Sequence, residues 1–155
     1  INVDIWQTNW QHWSAFEPHH YLKLPHMIAA TNYVATVEGQ LVAHVAVSTR
    51  SRAEARACRL VVMPEWQGAG IGMRFLNQVS EHWLNGENRY EKPLRTIFHT
   101  SHPNLATALR RNPKWTQISG QLHGGRASRA HTAGGKYGGH FRAVQGFRYL
   151  GANHD

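Results

Sequence analysis

Residues 60–72 read LVVMPEWQGAGIG. A short apolar run, Leu60 to Met63, meets Pro64; Gly68, Gly70 and Gly72 then fall at alternate positions, and a helical pattern follows in which Leu76, Val79 and Trp83 share one face. A strand, a glycine-rich turn and a helix N-terminus in that order make an anion site. The N–H groups of a first helical turn lack partners within the helix, and the helix dipole adds partial positive charge there. Glycines adopt positive φ angles and let phosphate oxygens approach the backbone closely. The stretch therefore reads as a cradle for a pyrophosphate. It is not G-x-x-x-x-G-K-[ST], because neither Lys-Ser nor Lys-Thr follows, and not G-x-G-x-x-G, because the third glycine comes one residue early. A plain glycine turn with no phosphate accounts for the same spacing.

Working outward, EARACRLVVM (54–63) is the strand that enters the glycines, and NYVATVEGQLVAHVAVST (32–49) is a hairpin, two alternating β-rich runs around Gly39-Gln40. INVDIW opens the chain as a strand. NWQHWSAFEPHHYL places Trp10, Trp13 and Phe16 at helical spacing until Pro18 breaks the pattern. LRTIFHT (94–100) is a short strand; SHPNLATALRRN (101–112) is a helix with Ser101 or His102 as N-cap and Pro103 at its first position. WTQIS and HFRAVQGFRYL are the last strands. The order predicts an α/β (α+β) fold with a mixed, mostly antiparallel sheet flanked by helices, rather than a doubly wound parallel one, because a tight turn joins consecutive strands. Between the last two strands lies GQLHGGRASRAHTAGGKYGGH, rich in Gly, Arg and His and without periodicity, which reads as a long mobile loop over about 123–140.

The 155 residues are enough for one domain with a core of its own, and 41% of them are hydrophobic. Cys58 is the single cysteine, which excludes an internal disulfide and a cysteine-based zinc framework and fits a reducing compartment. No apolar run approaches the ~20 residues of a membrane-spanning helix, and no signal-peptide pattern is present. A chain that opens on Ile1 reads as trimmed or as one domain of something longer. Lys and Arg outnumber Asp and Glu by 17 to 9, a formal charge of +8 that attracts polyanions or a phosphate-rich cofactor, or simply solubilises the surface.

LVVMPEWQGAGIG resembles motif A of the GNAT (Gcn5-related) acyl-CoA N-acyltransferases, roughly L-x-V-x-P-x-x-[RQ]-G-x-G-[IV]-G, with Leu60, Val62, Pro64, Gln67, Gly68, Gly70, Ile71 and Gly72 all matching. The resemblance implies the GNAT-like fold and acyl-CoA, acetyl-CoA first among them, as co-substrate. It implies that the backbone of Gln67, Gly68, Ala69, Gly70, Ile71 and Gly72 holds the coenzyme pyrophosphate. Val61, Val62 and Met63 then hydrogen-bond the pantetheine arm and face the thioester. NLATALRRNPKW resembles the helix after the fifth strand, so Asn104 is placed on the pantetheine. The tyrosine that often protonates the leaving thiolate falls near Arg110 or Arg111 and is missing. FEPHHYL, TSHP and RNPKW, taken with the glycine stretch, are similar to a phage and mobile-element branch whose members include Mom-type DNA-modification proteins. That likeness implies a cytoplasmic setting, in a bacterium or a phage-infected host.

Acyl transfer to an amine needs a neutral amine, a polarised thioester carbonyl and a proton for the departing thiolate. Glu54, at the start of the strand into the cradle, is the expected base and Ser101 the expected acid. His20 and Tyr21, beside Glu17 and His19, are the rival pair for handling the acceptor. A solvated Glu54, a capping Ser101 and a satisfied core His44 are the structural alternatives. His19, His20, His99 and His102 suit a metal as residue types, but no H-E-x-x-H, C-x-x-C or spaced carboxylate supports one. The expected acceptor is an amine on a polyanion, a DNA base or modified base first. Arg126, Arg129, Lys136 and Arg142 in the glycine-rich loop would follow the phosphates, and Trp6, Trp10 or Tyr21 would stack on a flipped base. The competing readings are a GNAT-like binding module that has lost its chemistry and a small-molecule amine acetyltransferase.

Overall fold

The computed structural model describes residues 2–20, 30–49, 54–120 and 144–151. The hairpin forms as β2 (Thr31–Val37) and β3 (Gln40–Thr49), antiparallel. Its turn puts Glu38 at φ 50° and Gly39 at φ 80°. Two successive left-handed residues twist a two-residue loop to match the strands it joins. β1 (Asp4–Thr8) adds to the outer edge of β2, and β4 (Glu54–Val62) runs antiparallel on the other side of β3. β5 (Arg95–Thr100) lies parallel to β4, β7 (Gln145–Tyr149) antiparallel to β5, and β6 (Trp115–Ser119) closes the far edge. The sheet is therefore mixed and seven-stranded, in the order β1-β2-β3-β4-β5-β7-β6.

A parallel pair needs a crossover, and α2 (Ile71–Leu84) supplies the one between β4 and β5. Ile71, Phe75, Leu76, Val79 and Trp83 are buried on it at the 3.6-residue period of one helical face. α3 (Pro103–Arg111) joins it on the same face of the sheet through Ala106 and Leu109. Tyr33, Ala35, Val45, Val47, Ala57, Phe98 and Phe147 meet these helices from the strands. Two polar contacts pin α2: the Trp83 indole N–H donates to the Tyr33 hydroxyl at 2.8 Å, and the Tyr149 hydroxyl donates to Glu81 at 2.8 Å.

The opposite face carries a smaller cluster of Trp13, Phe16, Val34 and Val61, with Trp10, Leu41 and Met63 against it. The helix expected here is shorter than its spacing implies. α1 is only Trp13–Phe16, set between single 3-10 turns at Trp10–His12 and Glu17–His19. Asn9 caps the first turn by accepting from Gln11 N–H, and Pro18 cannot continue an α-helix. At α3 the two candidate caps resolve: His102 is the N-cap, its Nδ1 accepting from Leu105 N–H at 3.3 Å, with Pro103 following. No helix among the described residues is long and apolar enough to cross a membrane.

Candidate acyl-CoA site

β4 and β5 pair only from Glu54↔Arg95 to Ala57↔Phe98. Beyond that point β4 runs on to Val62 and β5 to Thr100 with no pairing between them. A bulge explains the parting. Cys58 pairs with Ala46 and Val61 with His44, so Arg59 and Leu60 together stand against Val45. Arg59 takes φ 57°, in the left-handed region. An extra residue bends its strand and increases its twist, while β5 stays with β7 at His99↔Gly146 and Thr100↔Gln145. The result is a wedge-shaped gap. Met63 N–H donates to Val42 at 2.8 Å, towards β3; strand alternation then turns the N–H and C=O of Val62 towards the gap. The Val62 carbonyl accepts from the Gln67 side chain at 2.9 Å, which ties the turn beyond it to the strand end.

That turn is the glycine stretch. A 3-10 turn at Pro64–Trp66 leads to Gly68 at φ 87° and to Gly70 at φ 78°, the N-cap of α2 with no side chain to cap it. A Cβ at Gly68 or Gly70 would meet nothing within 4 Å, so the space above both is open. Gly72 is glycine for a different reason: a Cβ there would lie 3.1 Å from Val62 Cγ2, so its absence lets α2 sit close on β4. Ile71 is buried and anchors the first turn, leaving its main chain for a ligand. Uncapped helix N–H groups, two left-handed glycines and open space fit the pyrophosphate of an acyl-CoA.

The gap and the cradle gather some expected residues and not others. Ser101 is half-buried, directly after β5, and because His102 takes the cap Ser101 is not spent on it. Asn104 is exposed in the first turn of α3. His20 is buried, its ring 5.7 Å from that of Trp13. Tyr21 lies outside the described residues, as do Arg126, Arg129, Lys136 and Arg142. Glu54 needs correction. It begins the nine-residue β4, within its paired part, and is bound to Arg148 at 2.8 and 2.9 Å. It stands three residues short of Ala57↔Phe98, where the gap opens, and its carboxylate is already engaged by Arg148, so it does not face the gap as a base. Arg110, where a tyrosine was looked for, hydrogen-bonds the Gln145 side chain and so ties α3 to β7.

Two further buried residues bear on this region: His44, the satisfied core histidine expected as a structural alternative, and Arg59, which the strand pattern does not single out. His44 is fully buried among Trp10, Trp13 and Phe16, with Nε2 3.0 Å from the Asn32 side chain and Nδ1 3.4 Å from the Arg59 carbonyl. Burial, partly offset by the Arg59 carbonyl, lowers its pKa to about 4. A neutral ring has one N–H, so a proton on Nδ1 with the Asn32 amide turned to donate satisfies both contacts. Arg59 is itself buried, its guanidinium 5.4 Å from the centre of the Trp10 ring. No group of three or more His, Cys, Asp or Glu that could hold a metal ion occurs among the described residues.

A parted β4–β5 pair with a phosphate cradle at the end of β4 defines an acyl-CoA transferase site. Residues 29–110, more than half of the chain, match the acetyltransferase (GNAT) domain, and the chain belongs to that family. Its fold is that of GNAT acetyltransferases. One similar structure is a GNAT family acetyltransferase from Elizabethkingia anophelis with acetyl-CoA bound (10% identity over 96% of this chain and 97% of that one, TM-score 0.67). Another is the ribosomal-protein-S18-alanine N-acetyltransferase of Escherichia coli (12%, 99% and 97%, TM-score 0.63). A third is N-acetylglutamate synthase from Neisseria gonorrhoeae, complexed with coenzyme A and N-acetyl-glutamate (16%, TM-score 0.60). The match covers 96% of this chain but only 35% of the synthase. No curated protein matches by sequence.

Proposed function

We propose that this chain is an acetyl-CoA-dependent N-acetyltransferase that passes its acyl group directly to an amine held on the α1 face of the gap. The parting of β4 from β5 at Ala57↔Phe98, with the glycine cradle at the end of β4, is the observation that carries this reading. The acyl-CoA supplies the activated thioester. The main-chain N–H groups of Gln67, Gly68, Ala69, Gly70, Ile71 and Gly72 hold its phosphates, and Asn104 contacts the arm. Val61, Val62 and Met63 form the wall along which the arm lies, and the Val62 N–H is available to it. The amine nitrogen bonds to the carbonyl carbon, the C–S bond breaks, and the thiolate takes a proton relayed by the Ser101 hydroxyl, which regains it from water. The proton lost by the amine goes to His20. Direct transfer suits Cys58, whose thiol donates to the Ala46 carbonyl at 3.6 Å and whose pKa is pushed up by burial; both make it a poor nucleophile.

A DNA base or modified base is a second reading of the acceptor, favoured by the net charge of +8. Its expected phosphate-binding arm is outside the described residues, and the family match does not bear on the phage branch. Release of free thiol from acetyl-CoA in the presence of an amine panel tests the main reading. Folded protein that binds acetyl-CoA and releases no thiol with any amine would favour a binding module instead. Binding of a short duplex at ~150 mM salt, near physiological strength, tests the second reading, because phosphate contacts impose a steep salt dependence.

A further inference from the structure

Arg59 stands at the bulge where β4 leaves β5, and its backbone carbonyl is 3.4 Å from the buried His44 ring. Arg59 as a residue is only 8% exposed, and Nη1 is buried with no hydrogen-bond partner among the described residues, where no ion pair joins it to a carboxylate either. Among all the residues the structure does not describe, Asp155 is the single Asp or Glu. A guanidinium stays charged in any protein environment, and burying one without an anion is costly. The Trp10 face beside it offers a cation–π contact but accepts no hydrogen bond in the guanidinium plane. Among the described residues the cation therefore has an unmet need, on the α1 face, three residues before Val62 and roughly 10 Å from it along the strand.

We propose that Arg59 recognises the acceptor, binding the carboxylate of a small amine such as an amino acid beside the thioester. The proposal rests on the acyl-transfer reading and adds the acceptor class to it. The planar fork of a guanidinium matches a carboxylate in two parallel hydrogen bonds. Burial decides between anions: a phosphate on a duplex backbone cannot reach a side chain this enclosed, whereas a small carboxylate can enter with its amine. The left-handed backbone and the His44 contact fix the direction in which the side chain leaves the strand.

The test measures thiol release from acetyl-CoA with the common amino acids and, in parallel, with their carboxamides. The wild type should prefer at least one acid over its amide by ~100-fold or more in kcat/KM, because a buried polar group left unmatched rejects the analogue. Arg59→Met should bring that ratio near one, while calorimetric acetyl-CoA affinity stays within about threefold. Arg59→Lys should keep part of the preference, since it retains charge without the fork. Equal use of acid and amide by the wild type overturns the proposal and needs no folded variant. So does an undiminished preference in Arg59→Met, or a wild type that transfers only to amines lacking a carboxylate. Those three results leave the acyl-transfer reading intact; failure to bind acetyl-CoA at all sinks both.

Discussion

Gly70 and Gly72 lie two residues apart and predict different failures. Gly70 has open space over its Cβ position but φ 78°, so Gly70→Val costs roughly 1–2 kcal/mol of backbone strain and fills the cradle. Acetyl-CoA affinity measured by calorimetry should fall at least tenfold, more than the lost stability accounts for. Gly72→Ala instead drives a methyl against Val62 and should cost about 1–3 kcal/mol in urea unfolding, with affinity changed only as far as α2 shifts. His44 gives a pH signature. Burial lowers its pKa to about 4 in the fold, against an ordinary 6.5. The unfolded chain therefore binds the extra proton first. The stability held above pH 6.5 is lost as pH falls towards 4, by up to about 3 kcal/mol. Melting temperatures followed from pH 7 to 5 should drop less steeply in His44→Asn than in the wild type; equal slopes would place the titration elsewhere.

At the scale of elements, α2 links the cradle to the core, and its far end is held by polar contacts as well as packing. Tyr33→Phe leaves the Trp83 indole N–H without its acceptor in a fully buried site. The expected loss is about 1–3 kcal/mol, read as a lower urea midpoint with unchanged slope. Most of these elements could be read from periodicity: the Gly39 hairpin, the strand into the glycines, the α2 stripe and the Pro103 helix start all stand where residue spacing puts them. The cradle was legible because positive φ and close approach demand glycine, and glycine is visible in a sequence. The bulge was not, because a left-handed arginine looks like any other residue in a strand pattern. Glu54 was misjudged for a related reason. Spacing identifies a strand, but which end of it meets the active gap depends on where its neighbour stops pairing. The short α1 reflects two 3-10 turns, whose spacing over a few residues resembles one helix.

For the whole molecule, charge and topology act together. The described residues that flank 121–143 are Gly120 and Val144, the latter next to Gln145, which pairs with Thr100 at the gap end of β5; within 121–143 the sequence carries Arg126, Arg129, Lys136 and Arg142. If they gather phosphates, removing the charges of Arg126, Arg129 and Lys136 should flatten the salt dependence of acetyl-CoA or DNA binding by nearly one unit of log–log slope per lost contact. An unmoved slope for both ligands would leave the segment with no electrostatic part in binding.

The four residue pairs between β4 and β5 also make a seam. On one side lie β1 to β4, on the other β5 to β7, and past Ala57↔Phe98 nothing in the ladder stitches the halves together. The sheet is in effect two leaves sharing a short spine, with α2 as the strap across it. Such a book can breathe, and whatever lies between the open pages lends the backbone contacts that a neighbouring strand would otherwise have made. Acetyl-CoA should therefore act as binding thread as well as reactant. Native-state hydrogen exchange at Val62 and in the first turn of α2 should slow on its addition, while exchange in the β2–β3 leaf stays nearly the same.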